Sequence, residues 1–277
     1  MVPRVVVTGA SGFIGGALIS SLRKKNIDCV GITRKKFLDL FTVKSYEDSP
    51  LGEILIHLAE SNNRPDCEQE GAERELEARR TFEVLIKKGY QKVIYASSAV
   101  LYGDCSMVPS KVTDPIQSMD AYTRIKMSSE SLALSSGGTV VRLANLYGPG
   151  MSSDNVVSHI LNQAALDGAI TMNSLGPVRD FIWIEDAVTA FLAIIDKEAT
   201  GIFNVGSGRG TSIRELVSMV QSAFKNKQDV IELCPLKKPS NLILDIGFTK
   251  KTLGWAPKTI LKDGIREMVA MKIKNHA

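Results

Sequence analysis

The sequence predicts an α/β fold, a doubly wound parallel sheet followed by a smaller C-terminal lobe. Three observations predict it. A β-branched run near the N-terminus ends in a glycine-rich turn that opens a helix. Apolar strands and amphipathic helices then alternate up to about residue 150, which is the pattern of a parallel sheet covered on both faces. After Pro149-Gly150 the alternation becomes irregular, which predicts a separate lobe.

The alternation in residues 1–150 comes from short apolar runs separated by segments with helical periodicity. The predicted strands are Val5 to Val7, Cys29 to Thr33, Ile54 to Leu58, Val93 to Ala96 and Thr139 to Leu143. The predicted helices are Ile14 to Lys25, Ala72 to Lys88 and Ala121 to Ser135. The polar segment Asn62 to Gly71 predicts a loop. With right-handed crossovers, these elements form a Rossmann sheet.

Residues 151–277 are predicted to form the smaller lobe, with segments near 180–206 returning to the sheet. Its predicted helices are Val156 to Leu166, Glu185 to Ile195, Ile213 to Phe224 and Ile260 to Ile273. Its predicted strands are Phe181 to Ile184, Ile202 to Val205 and Val230 to Leu233.

Composition and charge exclude several classes of protein. Of 277 residues, 44% are hydrophobic and 23% are charged, which is ordinary for a globular chain. The net charge of +4 is mild and spread over short doublets, so we expect no nucleic-acid partner. No window approaches the ~20 apolar residues of a membrane helix. We therefore expect a cytoplasmic protein with no membrane association.

The cysteines and histidines give no sign of a metal site. The four cysteines lie far apart in the sequence and lack metal-ligand spacing, so we interpret them as free thiols of a reducing compartment. The three histidines, His57, His159 and His276, share no local spacing with carboxylates or cysteines. We expect no metal.

The stretch from Val5 to Gly15 predicts a dinucleotide site. Gly9 permits the tight turn out of the strand, Gly12 lets backbone N–H groups approach a pyrophosphate, and Gly15 lets the helix pack closely on the sheet. The helix N-terminus then offers free N–H groups and a positive dipole end to the phosphates. Three such glycines alone are weak evidence, but here they follow a strand and open a helix.

The end of the second predicted strand bears on the choice of cofactor. An acidic side chain there would bind the ribose hydroxyls of NAD, and the sequence has Thr33-Arg34-Lys35 instead. A cation suits a 2′-phosphate, so Arg34 favours NADP(H), although NAD stays open and a solvated arginine is the alternative reading. Asp39 and Leu40 are predicted to flank the adenine.

Tyr122 and Lys126 lie four residues apart and share one face of a predicted helix. An ammonium stabilises the phenolate form of a nearby tyrosine, which makes Tyr122 a candidate general acid or base. Ser98 follows the fourth predicted strand at its carboxyl end, where open α/β sheets bind ligands. Its hydroxyl could hold a reacting oxygen beside Tyr122.

Together these motifs resemble the extended short-chain dehydrogenase/reductase family, in its NAD-dependent epimerase/dehydratase, nucleotide-sugar branch. The resemblance spans nearly the whole chain. The matching segments are Thr8 to Gly15, His57 to Ala59, Ser97 to Gly103, Tyr122 to Lys126, Arg142 to Gly150, Arg179 to Asp186, Asn204 to Gly208 and Leu253 to Trp255. One departure is Arg74-Glu75, where relatives usually have Asn-Val.

The resemblance implies a set of site residues. Ser98, Tyr122 and Lys126 would be the catalytic triad, with Lys126 also binding the nicotinamide ribose. The implied cofactor contacts are Gly9, Ser11, Gly12, Phe13, Ile14, Gly15, Arg34, Asp39, Leu40, Leu58, Ala59, Tyr122 and Lys126. The implied substrate contacts are Ser98, Tyr102, Asn145 and Arg179.

The two contacts in the second half suit a nucleotide-diphosphate sugar as substrate. Asn145 matches a position that contacts the diphosphate, and Arg179 matches a phosphate-binding arginine. The alternative role for Arg179 is an ion pair with Asp180 or Asp186. Residues 151–277 would then be mostly a substrate-binding lobe, and residues 1–150 the dinucleotide-binding domain.

The reaction itself is left open between two close alternatives. Sugar 4,6-dehydratases carry an acidic pair after the serine, and Ala99-Val100 stands there, which disfavours dehydration. NADPH-dependent reduction of a 4-keto (deoxy)sugar nucleotide and NAD-dependent 4-epimerisation both fit, and Arg34 tilts the choice to reduction. A non-catalytic NADP-sensing protein is disfavoured because Tyr122 and Lys126 are present. Relatives commonly form homodimers, so a homodimer built on helices Ala72 to Lys88 and Ala121 to Ser135 is a further hypothesis.

Overall fold

The computed structural model describes residues 4–60 and 64–276. A seven-stranded parallel sheet forms its centre, in the order β10-β6-β5-β4-β1-β2-β3. The strands are β1 Val5–Thr8, β2 Cys29–Thr33, β3 Phe41–Thr42, β4 Ile54–His57, β5 Lys92–Ser98, β6 Thr139–Leu143 and β10 Gly201–Val205. The strand order reverses between β1 and β4, and this switch point is where open α/β sheets bind ligands. The doubly wound Rossmann-type fold is therefore confirmed.

Helices cover both faces of this sheet. They are α1 Phe13–Lys24, α2 Arg64–Lys87, α3 Ala121–Ser135 and α5 Ile184–Asp196. Because successive side chains of a strand point to opposite faces, Val5 and Val7 join the core under α1 and α5, whereas Val6 joins the core under α2 and α3. Strands buried on both faces read as continuous apolar runs, which is why the sequence made them easy to find.

A second lobe packs beside the carboxyl edge of the sheet. Its strands are β7 Asn145–Tyr147, β8 Ile170–Met172, β9 Val178–Trp183, β11 Gly210–Ser212, β12 Val230–Glu232 and β13 Asn241–Leu242. Its helices are α4 Val156–Ala164, α6 Ile213–Phe224 and α8 Leu261–His276. The short helix α7 Gly247–Leu253 instead packs against β10 and α5 of the main sheet. β9 is the centre of a sheet with β7, β11 and β13, whereas β8 and β12 pair separately. The segment near 180–206 thus contributes β9 to this sheet and β10 to the main one.

Asp180 on β9 connects the two sheets. Its side chain is almost fully buried and accepts hydrogen bonds from the backbone of Ser207 (2.7 Å) and Gly208 (3.0 Å), which follow β10, and of Leu244 (3.3 Å). These bonds satisfy a carboxylate that burial would otherwise disfavour. The neighbouring Arg179 is thereby fixed relative to the carboxyl edge of the main sheet.

The sequence prediction of a loop at Asn62 to Gly71 is wrong over the residues that are described. α2 begins at Arg64 and contains a non-helical residue, Gly71, at φ 51° and ψ −123°. Asn62 itself lies outside the described residues. The first turns are helical because tertiary contacts hold them: Cys67 is fully buried, and Arg64 forms an ion pair with Asp120. Such contacts outweigh the low apolar content on which the loop was predicted.

Candidate active site

The glycine loop has the close packing that a pyrophosphate cradle needs. A Cβ atom added to Gly15 would lie 2.3 Å from the carbonyl oxygen of Gly9, and one added to Gly9 would lie 3.0 Å from the backbone of Leu58. Gly9 also has a φ of +66°, which favours glycine. Gly12 is the N-cap of α1, and no acidic residue lies in the first turn, so the N–H groups and positive dipole end remain available. These residues fit a dinucleotide.

Two bonds tie this loop to the neighbouring strand across the switch point. The Oγ1 of Thr8 lies 2.8 Å from Nδ1 of His57 and accepts a hydrogen bond from the backbone N–H of Leu58 at 3.1 Å. Leu58 and Ala59 thus stand directly beside the turn at Gly9. Of the other predicted cofactor contacts, Ser11 is exposed next to Thr33, with 3.1 Å between their hydroxyl oxygens. Phe13 and Ile14 are half-buried and pack against the core.

Arg34, at the end of β2, is exposed and already has a partner. Its guanidinium lies 3.2 Å from the carboxylate of Glu77 on α2, and both side chains are about half exposed. It also lies 6.0 Å from the ring centroid of Tyr46. An exposed pair of this kind contributes little stability, on the order of 0–1 kcal/mol, so a phosphate could replace the carboxylate. Asp39 adopts a φ of 59°, and its backbone carbonyl accepts a hydrogen bond from Arg23. The next residue, Leu40, is partly buried and packs against the core.

Ser98, Tyr122 and Lys126 lie at one edge of the main sheet. Ser98 is the last residue of β5, and its Oγ accepts a hydrogen bond from the N–H of Val100. Tyr122 lies in the first turn of α3, whose N-cap Asp120 accepts from the backbone of Thr123. The Nζ of Lys126 is 5.7 Å from the ring centroid of Tyr122. The i, i+4 spacing therefore puts the phenol and the ammonium on one face, as the sequence predicts.

Lys126 is buried, and its ammonium is anchored on β5 and on the segment that follows β4. Its Nζ donates to the carbonyl of Ala96, two residues before Ser98, and to Oε2 of Glu60, both at 3.0 Å. Glu60 follows β4, and its side chain is only 3% exposed. It also accepts hydrogen bonds from Tyr95 and from Ser129, the latter at 2.6 Å. Burial opposes charge on Glu60 and is the largest single influence. The Lys126 ammonium, together with His57 and the two hydroxyl donors, outweighs it and holds the pKa of that carboxyl below its usual value.

Sequence reasoning missed Glu60. The segment Leu58-Ala59 was singled out for the cofactor, and no role was predicted for the next residue. The available signal was position: an acidic residue two places beyond the predicted end of a buried strand lies at the ligand-binding edge of the sheet.

The predicted substrate contacts are spread over both lobes. The hydroxyl of Tyr102 is buried, donates to Asn204 and accepts from Arg142, both at 2.8 Å, so a substrate would compete with these partners. Asn145 is exposed and donates to the carbonyl of Asp180 at 3.3 Å. Arg179 is partly buried, and its ion pair is with Asp104 at 3.3 Å. The alternative partners expected from the sequence, Asp180 and Asp186, are therefore not the ones it binds.

A second buried ion pair holds α3, the helix that carries Tyr122 and Lys126, on the main sheet. Arg142 on β6 binds Glu130 on α3 through Nε (2.9 Å) and Nη2 (2.7 Å), and both side chains are about 4% exposed. Ser97 donates to the same carboxylate at 2.6 Å. A bidentate pair of this geometry fixes α3 against β5 and β6, and thus fixes the helix that carries Tyr122 and Lys126.

Within residues 4–60 and 64–276, no group of three or more histidines, cysteines or carboxylates could hold a metal ion. Cys29, Cys67, Cys105 and Cys234 are free thiols. None of the helices in the described part of the chain is both long and apolar enough to cross a membrane.

A family model decides the identity. The model of the NAD dependent epimerase/dehydratase family matches residues 5–206. The chain belongs to this family. The resemblance to extended short-chain dehydrogenases/reductases is confirmed, and the protein is an NAD(P)-dependent enzyme of that type.

Members of the epimerase/dehydratase family with curated functions or solved structures align over almost the whole chain. The dTDP-4-dehydro-6-deoxyglucose reductase of Escherichia coli is 28% identical, over 96% of each chain. The structure of UDP-glucose 4-epimerase from Thermotoga maritima with UDP-glucose has a TM-score of 0.87 at 24% identity, covering 99% of this chain and 100% of the epimerase. The structure of RMD from Pseudomonas aeruginosa in complex with NADPH has a TM-score of 0.86 at 22% identity, covering 97% and 98%. These structures confirm the fold.

The homologues include nucleotide-sugar reductases, decarboxylases, epimerases and dehydratases. At about 25% identity they establish the general class of enzyme and leave the individual reaction unassigned.

Proposed function

We propose that this enzyme reduces the 4-keto group of a (deoxy)sugar nucleotide with NADPH. The observation that carries the proposal is the group at the carboxyl end of β5. Ser98, Tyr122 and Lys126 lie at one edge of the sheet. The residues that follow Ser98 in the chain are Ala99, which is buried, and the apolar Val100. This edge offers a proton donor and an oxygen-binding hydroxyl. At Ala99 and Val100 it lacks the acid and base that elimination of water requires.

The chain's own residues have distinct roles in this reaction. When bound, NADPH supplies a hydride to the carbonyl carbon and leaves as NADP⁺. The hydroxyl of Ser98 donates a hydrogen bond to the carbonyl oxygen and orients it. Tyr122 donates its proton to that oxygen as the carbonyl becomes an alcohol. Lys126 stabilises the phenolate that remains, and its third N–H, which neither Ala96 nor Glu60 uses, is available to the ribose of the cofactor.

Two features support NADPH and a nucleotide sugar as ligands. The ion pair of Arg34 with Glu77 is exposed, so Arg34 can bind a 2′-phosphate at little cost. Arg179 lies on β9 of the second lobe and donates to the hydroxyl of Ser240, and a cation at this position suits a diphosphate. The similarity over full length to a dTDP-4-dehydro-6-deoxyglucose reductase points to the same substrate class.

The test follows NADPH oxidation at 340 nm with dTDP- and GDP-linked 4-keto-6-deoxyhexoses. We expect turnover with at least one of them, and loss of that turnover in Tyr122→Phe with nucleotide-sugar binding retained. Tyr90→Phe is the matched control, because Tyr90 lies away from this edge and bonds to the carbonyl of Pro50.

Mass spectrometry of the purified protein tests the epimerase alternative. Tightly retained NAD⁺, together with interconversion of 4-epimers and no net consumption of NADPH, would overturn the reductase proposal in favour of 4-epimerisation.

We also propose a homodimer through α2 and α3. Leu76 on α2 and Leu134 on α3 are exposed, by 47% and 37%, and would be covered in a bundle of two helices from each subunit. Sedimentation velocity should show a dimer that Leu76→Glu dissociates. A monomer at high concentration of the parent protein would contradict this proposal.

A further inference from the structure

The Lys126 ammonium is paired with a carboxylate on a different structural element. The carboxylate of Glu60 comes from the segment after β4, 66 residues earlier in the chain, and its Oε2 lies 3.0 Å from Nζ. Both side chains are about nine-tenths buried or more. Taking two charges out of water is costly unless the geometry is good and the remaining lone pairs are satisfied. Here they are satisfied, because Tyr95 and Ser129 donate to the same carboxylate.

The arrangement restricts Lys126 to one position. Of its three N–H groups, one is directed to Ala96 and one to Glu60. Because an ammonium is tetrahedral, these two bonds fix the direction of the third N–H. The ring centroids of Tyr95 and Tyr122 lie 5.0 Å and 5.7 Å from Nζ and border the ammonium as well. The carboxylate thus determines where the ammonium stands and in which direction it can still donate.

The pair also sets the charge next to Tyr122. An unpaired ammonium would strongly favour the phenolate, whereas a carboxylate 3.0 Å from it cancels part of that field. The other titratable or charged groups facing this region are His57 from β4, Tyr95 from β5, Arg64 and Glu68 from α2, and Asp120 and Glu130 at the start and middle of α3. Among the described residues, Glu60 is the carboxylate that forms an ion pair with Nζ.

We propose that Glu60 is a positioning residue for the reaction: its carboxylate anchors the Lys126 ammonium and balances its charge beside Tyr122. This inference rests on the proposed function in one respect, namely that Tyr122 donates a proton. In this role Glu60 touches neither substrate nor cofactor and acts through Lys126. The burial of Lys126 alone would lower the pKa of its ammonium. Glu60, with smaller contributions from Tyr122 and Glu130, more than offsets this, so that the pKa is raised.

The test titrates Lys126 directly in protein labelled with [6-13C]lysine, without substrate. The Lys126 resonance is the one missing from Lys126→Met. In the parent protein we expect a midpoint above the ordinary 10.5 of a lysine. In Glu60→Gln we expect the midpoint to fall by about 1–3 pH units, the usual effect of one adjacent charge. Ser129→Ala is the control, because it removes a neutral hydrogen bond from the same carboxylate, and Glu60→Asp should restore most of the shift.

The pH profile of kcat then shows whether the pair matters to the reaction. In Glu60→Gln the alkaline limb of reduction should move to lower pH, because Lys126 without its buried partner loses its charge at a lower pH. A parent midpoint below 10.5, or equal midpoints in parent and Glu60→Gln, would overturn the proposal. The titration of the parent protein tests the proposal even if Glu60→Gln does not fold. Because the titration needs no turnover, a failure of the reductase proposal is seen separately, as absent NADPH oxidation by the parent.

Discussion

His57 should make the protein sensitive to mild acid. It ends β4 beneath the glycine loop, is fully buried, and stacks on Phe82 with ring centroids 4.5 Å apart. Burial, with a smaller contribution from Lys126, outweighs the attraction of Glu60 and lowers the pKa of His57 from 6.5 to about 4. The imidazole is therefore neutral in the folded protein at pH 7.

The sign of the effect follows from linkage between protonation and folding. Since the pKa is depressed in the folded state, the unfolded chain takes up the proton first as the pH falls. The contribution to stability is fully present above about pH 6.5 and is lost as the pH falls to about 4. At about 1.4 kcal/mol per pH unit, this difference corresponds to about 3 kcal/mol of unfolding free energy.

The assay is urea denaturation at several pH values between 7 and 4.5, comparing the parent with His57→Asn. The amide oxygen of asparagine can still bond Thr8, as Nδ1 of His57 does at 2.8 Å, but it does not titrate in this range. We expect the parent to lose about 2–3 kcal/mol more than the variant over this interval. His159→Asn, at an exposed position, is the matched control and should follow the parent. Equal pH dependence in the parent and His57→Asn would refute the reasoning.

Three further predictions concern the loop, the cofactor and the core. Gly15→Ala should abolish dinucleotide binding in a fluorescence titration, because its Cβ would lie 2.3 Å from a carbonyl oxygen, whereas Gly16→Ala, with 3.8 Å to the nearest atom, should bind normally. Glu77→Gln should tighten NADPH binding by about 2–5-fold in calorimetry and leave NADH binding unchanged, because it frees the Arg34 guanidinium to pair with the 2′-phosphate. An exposed ion pair of this kind is worth on the order of 1 kcal/mol. Weaker NADPH binding would contradict this prediction. Glu130→Ala should lower the unfolding free energy by about 3–5 kcal/mol, because it leaves the buried Arg142 unpaired, and a loss below about 1 kcal/mol would show that water reaches the pair.

The sequence was sufficient for the elements that have strong periodicity. Strands such as Thr139–Leu143 and helices such as Ile213–Phe224 were predicted with the bounds found. Their signal is local, since the apolar pattern lies within the element and the N-cap of the helix, Ser212, comes directly before it. The glycine loop and the Tyr122–Lys126 spacing are local signals of the same kind, and the structure places both at the carboxyl edge of the sheet.

What the sequence could not supply were pairings between distant segments. Glu60 meets Lys126 because α3 packs on β5, the strand that pairs with β4. Arg179 binds Asp104, which lies 75 residues earlier. No spacing rule connects such residues. The helical turns from Arg64 were missed for the same reason, because the contact that holds them is with Asp120 at the start of α3.

The positions of these partners explain how one helix can carry a reactive tyrosine in a fixed place. Tyr122, Lys126 and Glu130 follow one another at intervals of four on the sheet-facing side of α3, so they form a single line across the strands. The two charged residues have opposite signs, and each has a buried partner of the other sign, Glu60 on one side and Arg142 on the other. The two buried ion pairs therefore carry no net charge, and each of them resists rotation or sliding of α3. Removing either partner should disturb Tyr122 from a different direction, Glu60 through the charge beside the phenol and Arg142 through the placement of the helix.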